Sequence, residues 1–141
     1  MSRPLLARKD TKAREAALNR AVAARDGHVC RFEVMHRLKV SVKRVSGGGF
    51  EVQEDYAWLE CGRKGSGDTC HIYRRRECGD VWDNPVVALR GCRTCHDRYD
   101  GRTFDGSEVR VPPAREAECY ALLVAETKVP PPRRRPEGSR L

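Results

Sequence analysis

Residues 61–96 read CGRKGSGDTCHIYRRRECGDVWDNPVVALRGCRTCH and hold five of the seven cysteines and two of the four histidines of the chain. This composition indicates a metal-binding segment, because Cys and His are the common protein ligands of zinc. The segment ends in the pair Cys92-Arg-Thr-Cys95, followed by His96. Two cysteines three positions apart place both thiolates on one tight turn, the usual half of a tetrahedral zinc site. We therefore predict that a structural zinc ion organises this fold.

The other half of the predicted site needs two more sulfurs, and Cys30 and Cys61 are the best candidates. Cys61 lies in the knuckle-like sequence Glu60-Cys61-Gly62, and Cys30 comes shortly after the first predicted helix. The long segment between them is no obstacle, because the entropy of loop closure grows only logarithmically with length. Alternative sets, in which Cys70 or Cys78 replaces Cys30 or Cys61, remain open from the sequence.

The composition of the whole chain supports a metal rather than disulfides. Its 141 residues suit one compact domain, with 39% hydrophobic, 6% aromatic and 34% charged residues. Such a small core usually needs an additional cross-link. The number of cysteines is odd, the start MSRPLLARKD lacks the apolar stretch of a signal peptide, and no apolar run is long enough for a membrane span. We expect a cytoplasmic zinc protein without a membrane partner.

The charge of the chain indicates its partner. Lys and Arg total 28 against 20 Asp and Glu, which gives a net charge of +8. A small basic domain suits a polyanion, because each phosphate neutralised by Lys or Arg releases condensed counterions. The simpler alternative is a positively charged surface that only keeps the protein soluble.

Around the cysteine-rich segment, the periodicity predicts four further regions. Residues 1–27 are predicted to form a basic helix that ends at Gly27, and residues 37–60 an inserted β-hairpin around a Gly-rich turn. Residues 112–127 are predicted to form a C-terminal helix, and residues 128–141 a disordered basic tail. On the hairpin, cross-strand charge pairing is preferred over DNA contact. The apolar faces of the two helices are expected at Leu6, Ala13, Ala17, Ala21 and Ala24, and at Ala117, Tyr120, Ala121 and Val124. Cys119, on the last helix, is expected to be a small buried hydrophobe.

Within residues 61–100, two short strands are plausible around Thr69–Tyr73 and Val86–Leu89, with a helix that begins near Cys92 or Thr94. Ordered motifs run through this region and the end of the first helix: Arg25-Asp26-Gly27 before Cys30, Cys61-Gly62, His71-Ile72, Asn84 and Cys92-Arg-Thr-Cys95-His96. In this order they resemble the HNH endonuclease family in its zinc-ribbon, phage-type form. The resemblance covers roughly residues 14–100, with the hairpin as an interruption.

The resemblance implies an α+β fold, with a small ββα-metal (HNH) core and a four-cysteine zinc site at residues 28–100. It implies that His71 is the general base, that Asn84 tethers the loop and keeps His71 oriented, and that His96 ligates a catalytic divalent metal (Mn²⁺, Ni²⁺, Co²⁺, Zn²⁺ or Mg²⁺). These residue types suit phosphodiester hydrolysis, which needs a base that is neutral near pH 7 and a cation that stabilises charge on the phosphate. Arg74, Arg75 and Arg76 follow the base and are expected to bind phosphate.

Two positions depart from the family pattern. The residue before the base is usually Asp or His, and here it is Cys70; it is a ligand of the catalytic metal, a ligand of the structural zinc, or a core residue, and we favour the core. The segment from Asn84 to Cys92 is also longer than usual. The resemblance predicts an enzyme that nicks or cuts double-stranded DNA, in a phage setting beside packaging proteins and in the host cytoplasm. The alternative is a non-catalytic zinc-ribbon module that binds nucleic acid or protein.

Overall fold

The computed structural model describes residues 5–65, 67–102 and 108–127, with side chains from residue 10 onward, and this part of the chain is a mixed α+β protein. Its α-helices are α1 (Leu5–Asp26), α2 (Arg75–Cys78), α3 (Arg93–Tyr99) and α4 (Pro113–Glu126). Its strands are β1 (Glu33–Arg44), β2 (Phe50–Glu60), β3 (Asp68–His71), β4 (Ala88–Gly91) and β5 (Val109–Arg110). The α+β class is confirmed, whereas the predicted tail at residues 128–141 lies outside the described residues. No described helix has the length and apolarity to cross a membrane.

Helix α1 ends where the sequence predicts, but its buried face differs from the prediction. Gly27 terminates the helix with a φ of 67°, a conformation that glycine adopts without steric cost. Among residues 10–26, the part of the helix whose side chains are described, Leu18 and Val22 are the buried apolar residues, whereas Ala13, Ala17 and Ala24 are exposed. The prediction of an alanine face was wrong, because Leu and Val bury more apolar surface than Ala and therefore determine which side of a helix faces the core. Leu6 lies among the residues whose side chains are not described.

Strands β1 and β2 form a long antiparallel hairpin that begins four residues before the predicted position 37. Lys39 lies opposite Asp55 and Lys43 opposite Glu51, which is the register required for cross-strand charge pairing. β1 also pairs with β5 through Glu33 and Val34. Much of the hairpin is exposed, including its apolar residues Leu38, Val40, Val42, Phe50, Val52 and Tyr56.

A second, two-stranded sheet leads directly into helix α3. β3 pairs antiparallel with β4, with Asp68 opposite Gly91 and His71 opposite Ala88. β4 begins later than predicted, because residues 85–87 form a short 3₁₀ turn with Pro85 at its first position. The Asn84 side chain caps this turn by accepting a hydrogen bond of 3.0 Å from the Val86 backbone N–H.

The core lies between this β3–β4–α3 unit and helices α1 and α4. Phe32, Ile72 and Leu89 are fully buried at its centre. The Tyr99 hydroxyl donates a hydrogen bond of 2.7 Å to the Ile72 carbonyl, and the Tyr99 ring lies 5.1 Å from that of Phe32. Helix α3 is therefore held against the strand that carries His71.

Helix α4 covers the core with a face that includes one of the four predicted residues, the partly buried Tyr120. Cys119 and Leu123 are completely buried, whereas Ala117, Ala121 and Val124 are exposed. The larger Leu123 side chain again determines which face is buried. The predicted burial of Cys119 is confirmed, and burial raises the pKa of its thiol to about 12.

Candidate functional site

Four cysteines from three separate segments meet at one point: Cys30, Cys61, Cys92 and Cys95. Their sulfur atoms all lie within 4.8 Å of one another, and the sulfurs of Cys61 and Cys92 are 4.0 Å apart. Four thiolates bound to one tetrahedral zinc at about 2.3 Å would be about 3.8 Å apart. The cluster can therefore hold a structural metal, and its four members are those that the sequence favours.

Backbone N–H groups fix both halves of the cluster, each by a different contact. Cys30 and Cys61 lie on adjacent backbone segments, since the Cys30 N–H donates to the Arg63 carbonyl and the Gly62 N–H donates to the Cys30 carbonyl. Cys92 caps helix α3, and its sulfur accepts a hydrogen bond of 3.4 Å from the Cys95 N–H. Such N–H groups stabilise the thiolate form that a metal requires.

The thiols of the cluster differ in acidity. The pKa of Cys30 is lowered to about 5, chiefly because the Cys95 thiol donates a hydrogen bond to its sulfur. The same hydrogen bond raises the pKa of Cys95. Burial raises the pKa of Cys61. One thiolate is thus favoured in the cluster, and a bound cation would stabilise the others.

The two alternative zinc ligands belong to the core. Cys70 is buried, and a Cβ placed at Gly91 would lie 2.9 Å from its sulfur and 2.6 Å from the Phe32 ring. Burial raises the pKa of the Cys70 thiol well above its ordinary value. Cys78 is also buried, and burial raises its pKa to about 11. Cys70 is therefore a buried core residue, which is the role that the sequence favours for it.

A polar cleft of about 410 Å³ opens between residues of β3, α3 and the segments that follow them. Its lining includes both histidines of the cysteine-rich segment, His71 and His96, which come from β3 and α3. The other residues that line the cleft are Thr69, Arg74, Arg75, Asp100 and Arg102. The fold therefore brings together two residues that are 25 positions apart in the sequence.

His71 is held by a backbone carbonyl. Its Nε2 lies 2.8 Å from the Trp82 oxygen, and because a carbonyl can only accept, Nε2 is the protonated nitrogen and Nδ1 keeps a lone pair. Burial lowers the pKa of His71, an effect that the hydrogen bond to Trp82 opposes and the charge of Arg75 reinforces. The neutral imidazole, which can accept a proton, is therefore the favoured form near pH 7.

Trp82 is itself fixed between two cations. The guanidinium of Arg75 lies 3.6 Å from the ring centroid and that of Arg14 lies 4.8 Å from it. Arg14 also donates a hydrogen bond of 2.7 Å to Asp83, so helix α1 anchors the loop. Asn84 stabilises the same loop through its hydrogen bond to Val86, but it lines a different cleft from His71. The contact that orients His71 thus comes from Trp82.

His96 lies between two carboxylates. Its Nδ1 is 3.3 Å from Asp68 Oδ2, and its Nε2 is 3.0 Å from Asp100 Oδ2. Asp68 belongs to β3, whereas Asp100 follows His96 by four residues at the end of helix α3. A nitrogen and a carboxylate oxygen side by side form a donor pair that fits a divalent transition metal.

The three consecutive arginines take different positions. Arg74 and Arg75 line the cleft with His71, and Arg75 also forms an ion pair of 2.7 Å with Glu15. Arg76 lines a neighbouring pocket with Asp80. Arg102, which the sequence analysis missed, also lines the cleft.

Sequence reasoning also missed Asp68, Asp100 and the Trp82 carbonyl. The spacing of four between His96 and Asp100 was a usable signal, because residues four apart are neighbours on a helix surface. The position of Asp68 beside His96 depends on how β3 packs against α3. A backbone carbonyl is present in every residue, so the residue type at position 82 could not indicate this contact.

No family model, curated protein or solved structure matches this chain.

Proposed function

We propose that this protein is a metal-dependent endonuclease of the HNH type, which hydrolyses phosphodiester bonds of double-stranded DNA. The observation that carries the proposal is the position of His71 and His96 on one cleft together with Arg74, Arg75 and Arg102. The cleft thus combines a neutral base, a candidate metal ligand and cations for the phosphate. The ordered motifs of residues 25–96 support the same function, as does the net charge of +8.

In the proposed reaction, His71 Nδ1 takes a proton from a water molecule as its oxygen attacks the phosphorus atom. The hydrogen bond from Nε2–H to Trp82 keeps the lone pair of Nδ1 available for this step. The bond between phosphorus and the leaving deoxyribose oxygen then breaks, and that oxygen takes a proton from solvent. Arg74 and Arg102 bind the non-bridging phosphate oxygens through charge-assisted hydrogen bonds.

Two metal ions have separate roles in this proposal. Cys30, Cys61, Cys92 and Cys95 hold a structural zinc that fixes the start of helix α3. A divalent cation near His96 would stabilise the negative charge that gathers on the phosphate and on the leaving oxygen. Its identity is expected among Mn²⁺, Ni²⁺, Co²⁺, Zn²⁺ and Mg²⁺. Phage packaging proteins are proposed as further partners.

The test is relaxation of supercoiled plasmid by zinc-loaded protein, with each divalent cation titrated in turn. His71→Ala should lower the nicking rate roughly 10²- to 10⁴-fold, which is the usual contribution of a positioned general base. His36→Ala is the matched control, since His36 is exposed on the hairpin. Zinc content and DNA affinity should be the same in all three proteins.

The outcome also separates the two classes of function. If His71→Ala nicks as fast as the parent, the nuclease proposal is wrong. If the parent binds DNA but cuts it with none of the cations, the protein is a non-catalytic zinc-ribbon module, for which the cysteine cluster and the charge would be sufficient.

A further inference from the structure

We propose that Asp100 is a second protein ligand of the catalytic metal, beside His96, and that Asp68 positions the His96 ring from its other side. This assignment rests on the proposed function in one respect: the metal is taken to be the ion that the nuclease would use. It concerns two carboxylates to which the motifs assign no role.

His96 has a carboxylate oxygen beside each of its two ring nitrogens. A neutral imidazole carries one N–H, so it can donate to one carboxylate only, and its other nitrogen presents a lone pair. Both nitrogens of His96 nevertheless face carboxylate oxygens, at 3.3 Å and 3.0 Å. A lone pair beside an anionic oxygen is unfavourable unless a cation lies between them. A divalent cation that joins one nitrogen to one carboxylate would remove this conflict.

The geometry on the Asp100 side fits a bound metal ion. Two ligand atoms bound at about 2.1 Å and at right angles to each other on an octahedral metal are about 3.0 Å apart. This is the distance from His96 Nε2 to Asp100 Oδ2. Both side chains are about a quarter or less exposed, at 21% and 24%, and both line the cleft that contains His71.

Asp68 completes a carboxylate–histidine–metal arrangement. With Nε2 as the metal ligand, Nδ1 carries the proton and donates it to Asp68 Oδ2. Such a partner fixes the tautomer and the orientation of a ligating histidine and raises its basicity. Asp68 Oδ2 also lies 3.6 Å from Arg93 Nη1. Asp68, on β3, is thus paired with two residues of helix α3, His96 and Arg93.

This donor set has a chemical preference. One imidazole nitrogen and one carboxylate oxygen suit Mn²⁺, Co²⁺, Ni²⁺ or Zn²⁺ better than Mg²⁺, which prefers oxygen ligands alone. Water and phosphate oxygens would fill the remaining positions. The thiol of Cys70 does not take part, because it is buried in the core.

The experiment measures metal binding directly, without DNA. Zinc-loaded full-length protein is titrated with Mn²⁺, and bound ion is followed by electron paramagnetic resonance and by calorimetry. Asp100→Asn and His96→Ala should each weaken Mn²⁺ binding at least about 10-fold, and Asp68→Asn roughly 10-fold, as expected for a partner that orients a ligand. Asp97→Asn is the matched control, since Asp97 lies on the same helix but pairs with Arg93 and Arg102.

A second variant tests the ligand role even if Asp100→Asn is poorly folded. Asp100→His places two imidazoles four residues apart on one helix face, so it should restore binding and shift the preference from Mn²⁺ towards Ni²⁺ or Zn²⁺. The melting temperature and zinc content of each variant show whether the fold is intact.

Each outcome decides the proposal separately from the nuclease activity. Loss of Mn²⁺ binding in folded Asp100→Asn, with the Asp97 control unchanged, supports it even if the parent cuts no DNA. Unchanged Mn²⁺ affinity in Asp100→Asn overturns it even if the parent cuts DNA well. A parent that binds no divalent ion beyond its zinc also overturns it.

Discussion

Asp26 and Arg115 form a partly buried ion pair that joins the end of helix α1 to the start of helix α4. Both terminal guanidinium nitrogens of Arg115, Nη1 and Nη2, donate to the Asp26 carboxylate, Nη1 at 2.8 Å. The Asp26 side chain is fully buried, and it also accepts from Arg25 and from the Arg90 backbone N–H. One carboxylate thus connects α1, α4 and strand β4, and β4 is the partner of the strand that carries His71.

We predict that Asp26→Asn destabilises the protein by about 1–3 kcal/mol, since a neutral amide replaces the buried charged acceptor of the Arg25, Arg115 and Arg90 N–H groups. Urea unfolding measures this loss, with the exposed Glu126→Gln as the control. A change below about 1 kcal/mol would mean that the pair contributes little.

The stability conferred by this carboxylate should also depend on pH. Burial by itself would raise the pKa of Asp26, but hydrogen bonds from Arg115, Arg25 and Arg90 outweigh it and lower the pKa far below its ordinary value. A carboxyl with a lowered folded-state pKa stabilises the fold above its unfolded pKa, roughly 3.9, and that stabilisation disappears as the pH falls through the folded value. The stability difference between parent and Asp26→Asn should therefore be largest near neutrality and shrink below about pH 4.

The cysteine cluster predicts a dependence on zinc. Purified protein should contain about one tightly held zinc per chain, and structural zinc typically contributes about 10–16 kcal/mol. Chelation or Cys92→Ser should abolish the cooperative melting transition. Cys119→Ala removes a buried cysteine outside the cluster and should keep the zinc. A metal-free protein with the parental melting curve would contradict a structural role for the site.

The environment of His71 predicts the pH profile of cleavage. Burial, first of all, lowers its pKa, so the neutral base should persist below its ordinary value of roughly 6.5. The nicking rate at saturating metal should be flat through neutral pH and decline only on the acid side of that value. An acidic limb centred above about pH 7 would show that another group limits the reaction.

Cys70 predicts opposite effects for two substitutions. Cys70→Ala should keep the zinc and the metal preference of cleavage, at a modest cost in stability. Cys70→Asp should strongly destabilise the fold, because it would bury a carboxylate against Phe32 and Gly91. Thermal melting separates them, and a stable Cys70→Asp protein with improved Mg²⁺-dependent cutting would show that position 70 faces the metal.

We predict that removal of the basic tail changes the affinity for DNA and leaves the choice of cutting site unchanged. Removal of residues 129–141 deletes Arg133, Arg134, Arg135 and Arg140. DNA binding should weaken for all sequences alike, and its salt dependence should flatten, because phosphate contacts carry no base information. A truncated protein that keeps its affinity but cuts at different sites would mean that the tail reads bases.

The features that the sequence determined by itself are those with a local cause. Gly27 ends a helix because its φ is positive, and Cys92 and Cys95 share one turn because they are three residues apart. Neighbouring residues along the chain favoured Cys30 and Cys61 as the other members of the cluster, but only the fold excluded Cys70 and Cys78. Such signals act over a few residues and need no knowledge of the fold.

The tertiary structure decided the relationships that depend on packing. Leu18 and Val22, rather than the alanines, face the core because the helix is oriented by its largest apolar side chains. Cys70 was assigned to the core by the position of Phe32 and Gly91 around it. Asp68 reaches His96 only because β3 packs beside α3, and the Trp82 carbonyl reaches His71 only because the intervening loop folds back. A contact of this kind depends on where two distant segments meet, and residue types alone do not encode that distance.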